Sequence, residues 1–136
     1  MDTKNTFTWE NEVRVNETDL QGIVNNTNYS IYMTQARNKH LKSLGVDFNA
    51  LHKKGFDLVL VRTEIDFKSP LKNGDEFIVT SKLEPMGRIR FVSFQQVIRK
   101  ADQKIAAEGK NIATCICAAT GRPVIPEELR TIFNPE

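Results

Sequence analysis

The sequence predicts an α+β domain in which a curved antiparallel sheet packs around one long helix. Three observations carry that reading. Tyr29, Tyr32, Met33, Ala36, His40 and Leu44 recur at spacings of three and four, the apolar stripe of a single amphipathic helix. Four β-rich segments follow it, and the short turns between them favour antiparallel pairing, because parallel pairs need long crossovers. One alternating strand precedes it. A single sheet has one face to cover, and this helix carries the only broad apolar stripe available.

In the opening strand Phe7, Trp9, Val13 and Val15 alternate onto one face, with Asn11 as an interruption and a possible bend. Residues 16–27 are polar, contain Gly22 and lack a period, so they form a loop. Asn26 or Thr27 is placed to cap the helix that follows. Gly45 suits its left-handed C-terminal cap, and Asp47 to Lys54 reads as a short second helix. Strands are expected at Leu58–Phe67, Glu76–Leu83, Ile89–Arg99 and Lys104–Thr120, with turns at Pro85-Met86-Gly87 and Lys100–Gln103. Gly109 inside the last strand suggests a bulge or bend. The tail, with Pro123, Pro126 and Pro135, is not a central strand. With no repeat or linker, residues 1–136 read as one domain.

Composition excludes several classes. The net charge of +2 and scattered Lys and Arg give no footprint for nucleic acid or a membrane surface. The densest basic pair, Arg88 and Arg90, fits a small anionic ligand better than a duplex. Met1 to Asn5 leads into no apolar stretch, so no signal peptide is read, and no run approaches the roughly 20 apolar residues of a membrane span. The expected location is cytoplasmic. Cys115 and Cys117 are too close on a strand for an unstrained disulfide, and two thiolates without a nearby histidine do not complete a metal site. No metal is expected.

The segment with chemistry in it is Asn16 to Tyr29. It sets Glu17, Asp19, Gly22, Asn25, Asn26 and Asn28 directly before a helix start. Free N–H groups and the positive end of the dipole favour developing negative charge there. Asp19, partly desolvated, has two readings: a turn residue that complements the dipole, or a general base or nucleophile beside an oxyanion site. His40 and His52 read as core and surface residues, since neither lies near the helix start in sequence.

Asp19-Leu20-Gln21-Gly22-Ile23-Val24-Asn25-Asn26-Thr27-Asn28-Tyr29, with Ala36-Arg37 and Leu44-Gly45 beyond, resembles the signature of the 4-hydroxybenzoyl-CoA thioesterase family. Ile65 to Leu71 with Gly74-Asp75, and Arg88-Ile89-Arg90-Phe91, are similar to later stretches of the same family. The resemblance implies a hotdog fold, a five-stranded antiparallel sheet wrapped around one long central helix. It implies a homodimer or homotetramer with active sites at subunit interfaces, and hydrolysis of an acyl-CoA to free acid and CoA. CoA enters as part of the substrate, with no further cofactor.

By the same resemblance Asp19 attacks the thioester or activates water, and the backbone near Asn26 polarises the carbonyl. Gly22, Asn25 and Tyr29 lie against the substrate. Lys68, Lys72, Arg88 and Arg90 are candidates for the CoA phosphates, with solvated surface charge as the alternative. Two departures stand out. Asn26 occupies a position where some members carry histidine, and Thr34 or Gln35 stands where many carry glutamate. Asn25 or Asn26 can orient water but moves no proton at neutral pH. Glu17 and Glu64 remain as other carboxylates. A non-catalytic acyl-CoA binding protein is the alternative from another class, and a hotdog dehydratase lacks its histidine here.

Overall fold

A computed structural model describes residues 6–133. The strands are β1 (Thr6–Glu12), β2 (Phe56–Phe67), β3 (Glu76–Met86), β4 (Arg90–Arg99) and β5 (Ile105–Cys117). The helices are α1 (Asn26–Ser43), α2 (Phe48–Lys53) and α3 (Glu127–Phe133). All pairings are antiparallel, in the order β1-β3-β4-β5-β2, which leaves β1 and β2 as the sheet edges. This is the hotdog arrangement, with α1 lying on β1, β3 and β4. Among the described residues no helix is long and apolar enough to cross a membrane.

Period-two alternation gives β3 and β4 their helix-facing side, with Phe77, Val79, Ser81, Phe91, Ser93, Gln95 and Val97 all buried. Two apolar clusters result. One gathers Val13, Val24, Tyr29, Tyr32, Met33, Leu71 and Phe77 around the first half of α1. The other gathers Leu41, Leu51, Phe91, Cys115, Ile125 and Leu129 around its end. Polar groups lie between them and satisfy one another. Arg37 Nη1 donates to Gln95 Oε1 at 3.1 Å, and Gln95 Nε2 donates to the Met33 carbonyl at 2.8 Å. His40 Nδ1 meets Ser81 Oγ at 3.0 Å, with Phe7 stacked on its ring.

Several sequence expectations are corrected. The α1 cap is Asn25, one residue earlier than expected, because its side chain accepts from the Thr27 N–H. Val15 leaves the strand for a 3₁₀ turn over Val15–Glu17 and stands exposed. Pro85 and Met86 still pair with β4, so the turn is made by Gly87, Arg88 and Ile89. Gly109 makes no bulge; it pairs in register with Gln95 and Ile65. A Cβ there would sit 2.5 Å from Met33 Sδ, so the Met33 thioether packs over the glycine and would have to shift for any larger residue. The register shifts fall instead between Leu60 and Arg62 and between Val97 and Ile98. The tail folds back, pairing Pro123 with Ile116, and ends in α3.

Candidate active site

The loop before α1 closes on itself. Thr18 bridges Val24, the Asp19 N–H donates to the Ile23 carbonyl at 2.9 Å, and Gly22 N–H returns to the Asp19 carbonyl at 3.0 Å. Gly22 sits at φ +77°, a left-handed conformation that a side chain would strain. Within that turn Asp19 Oδ1 accepts the Gln21 N–H at 2.8 Å and the Ile23 N–H at 3.2 Å. Oδ2 has no hydrogen-bond partner among the described residues, and the side chain is exposed. One Asp19 oxygen thus shapes the turn, as the first sequence reading expects, and the other is left exposed.

The helix start lies next to it. Asn25 Oδ1 accepts from Thr27 N–H at 3.1 Å, the Asn25 carbonyl accepts from Asn28 N–H at 2.9 Å, and Asn25 N–H donates to the Glu17 carbonyl at 3.0 Å. Asn26 is the first residue of the helix, and its backbone N–H has no partner among the described residues. A donor of this kind at a helix terminus suits an oxyanion. The cap expected of Asn26 belongs to Asn25.

Glu17 is taken up structurally. Its Oε1 accepts from Arg14 N–H at 2.9 Å and from the Tyr32 hydroxyl at 2.8 Å. Burial, reinforced by that carboxylate, pushes the Tyr32 hydroxyl above its ordinary value and keeps it a donor. Tyr29 is buried, and its hydroxyl accepts the Leu71 N–H at 3.2 Å while its ring lies 5.6 Å from that of Phe67. Glu64 lies on β2, ion-paired with Arg62.

The cationic candidates divide. Lys72 bridges Ile23 of the Asp19 loop. Lys68, just after β2, is ion-paired with Glu108 at 3.2 Å. Arg88 and Arg90 lie at the β3–β4 turn, the opposite end of the sheet from the Pro70–Leu71 segment, which Arg99 holds through its bond to the Pro70 carbonyl. There they line a cavity of about 300 Å³ together with Arg130, Ile125 and Phe133. Arg130 escaped the sequence reading because only the folding-back of the tail brings it there. The site thus offers a carboxylate oxygen next to a helix-terminal N–H, the elements of acyl transfer.

Residues 13–133 match the family described as the Thioesterase-like superfamily. The chain is 32% identical over 128 residues to an Aquifex aeolicus protein named as a candidate esterase, covering 94% of this chain and 98% of that one. It is 30% identical over 125 residues to the chloroplastic acyl-acyl carrier protein thioesterase ATL3 of Arabidopsis thaliana, covering 91% of this chain and 65% of the plant protein. The fold superposes on the crystal structure of a Synechocystis 1,4-dihydroxy-2-naphthoyl-CoA thioesterase with a TM-score of 0.88, at 24% identity and with 95% and 96% of the two chains covered. The chain belongs to the Thioesterase-like superfamily of hotdog proteins, and it is a thioester hydrolase.

Proposed function

We propose that this protein hydrolyses an acyl-CoA to free acid and CoA, as the narrower resemblance to 4-hydroxybenzoyl-CoA thioesterases implies, with Asp19 as general base or nucleophile. One observation carries the reading: Asp19 is pinned through Oδ1 with Oδ2 unpartnered, beside a helix start whose Asn26 N–H has no partner among the described residues. A thioester carbonyl seated between them would meet a reacting oxygen on one side and a donor for its oxyanion on the other. Lys72, whose backbone bridges Ile23 of the Asp19 loop, is the cation we assign to a CoA phosphate. Family membership favours hydrolysis over the binding-only alternative.

The working unit we propose is a dimer built through β2. This edge strand exposes Val59, Leu60, Val61 and Phe67, and an unpaired apolar edge invites pairing with a second copy.

The test is thiol release from short, long and aromatic acyl-CoAs by the wild type and by Asp19→Asn. The variant, isosteric and at an exposed position, is expected to stay folded and lose roughly 100-fold or more in kcat. Undiminished turnover would remove Asp19 from the chemistry.

A further inference from the structure

The site as one chain builds it has a carboxylate and an oxyanion donor but no imidazole. His40 is buried against Ser81, and His52 lies past the far end of α1, whose 18 residues span about 27 Å. Yet His52 is arranged for proton transfer. Its Nδ1 stands 2.6 Å from Asp57 Oδ1, and its side chain is 74% exposed. A carboxylate on Nδ1 fixes the tautomer of the neutral ring and leaves Nε2 as the basic nitrogen. The pair fronts a cavity of about 350 Å³ walled by Asn38, Phe48, Leu51 and Leu58. The other charged groups of this segment are Lys53 of α2 and Lys54, its C-cap, and Lys54 is held by Glu128 of α3 at 2.7 Å.

Asp57 belongs to β2, and that places the pair in a dimer. A two-fold axis through an edge strand pairs it antiparallel with its copy, so chain direction reverses across the axis. Residues 59–64 form the continuously exposed run of β2, and their middle falls between Val61 and Arg62. With the axis there, Phe56 of one copy stands opposite Phe67 of the other. The segment before Phe56, which carries His52, then meets the segment after Phe67, which carries Lys68 to Lys72. That second segment is the one bound to the Asp19 loop: Ile23 bridges Lys72, and Val24 N–H donates to the Leu71 carbonyl at 2.8 Å.

We propose that His52 of the partner subunit, oriented by its Asp57, is the general base of the Asp19 site. The proposal rests on the reading of Asp19 and of the β2 pairing given above, and it makes Asp19 the nucleophile. Asp19 Oδ2 bonds to the thioester carbonyl carbon, the C–S bond breaks, and its electron pair leaves on sulfur, which takes a proton from solvent. Water then bonds to the acyl carbon of the resulting anhydride while its proton passes to Nε2 of the partner's His52. The bond to Asp19 breaks, the free acid and the Asp19 carboxylate are released, and the imidazolium returns its proton to solvent.

His52→Gln tests this, since the residue is exposed and its loss leaves the core intact. The expected variant releases a burst of one thiol per site, turns over roughly 100-fold more slowly, and loses the acid limb of the wild-type pH–rate profile. Co-expressed one to one, Asp19→Asn and His52→Gln chains should regain about a quarter of wild-type activity. Half of the dimers are then mixed, and each holds one site with both native groups. Wild-type turnover by His52→Gln, with Asp19→Asn inactive, overturns this inference and leaves Asp19 standing. Wild-type turnover by Asp19→Asn overturns both. A mixture no more active than its parents, or an active wild type that light scattering finds monomeric, also overturns the inference.

Discussion

His40 shows how a single side chain couples the core to pH. It is buried between Phe7 and the Ser81–Ser93 hydroxyls, and burial holds its pKa below the ordinary 6.5. The folded protein therefore favours the neutral ring, while the unfolded chain takes up a proton near 6.5. The stability His40 contributes is complete above that value and is lost as pH falls through the folded value. Urea unfolding at pH 7.5 and 5 should show the wild type weakening in acid, and His40→Gln should weaken less. Residue-scale legibility was uneven. The loop around Gly22 was readable because a glycine in a polar, aperiodic stretch before a helix has few physical alternatives. Gly109 was misread as a bulge, since the sequence holds no sign that the Met33 thioether would pass over it. His52 reads from sequence as a surface residue and is one, but its bond to Asp57 joins residues on two elements whose meeting only the fold decides.

At the scale of elements, α1 is the part on which the site depends. Its stripe was legible: of the six positions expected, Tyr29, Tyr32, Met33, Ala36 and His40 are buried, and Leu44 alone is exposed. Arg37 and Leu41 joined them unannounced, because the buried face is wider than the stripe. The start of the helix was off by one residue, as Asn25, Asn26 and Thr27 are all suitable caps in sequence and only geometry chooses Asn25. Asn25→Ala removes an acceptor from Thr27 N–H and should cost about 1 kcal/mol in urea unfolding. Turnover should fall with it, since the cap fixes the direction of the neighbouring Asn26 N–H. α3 was missed because prolines at 123 and 126 read as a non-regular tail, whereas Pro126 supplies the carbonyl to which Leu129 and Arg130 donate.

For the whole molecule, the wrapped sheet followed from counting strands against helices, whereas the lateral offset of α1 did not. The helix lies over β1, β3 and β4, and β2 is left as an exposed apolar edge, a fact no single segment encodes. Val61 tests what that edge is for. It is skipped where β2 shifts register on β5, so lysine there disturbs no pairing within the chain. Light scattering of Val61→Lys should give half the wild-type mass, with thiol release falling in proportion to the dimer lost. Unchanged mass would place the interface elsewhere.

Glu17 gives the site one further property. Its carbonyl receives both Asn25 N–H and Asn28 Nδ2, and its carboxylate receives the Tyr32 hydroxyl, so one residue staples the loop to the first two turns of α1. The segment carrying Asp19 is thus tied to the helix on both sides of the loop. On the role proposed for Asp19, much of the entropy of positioning its carboxylate is lost when the chain folds rather than when substrate arrives.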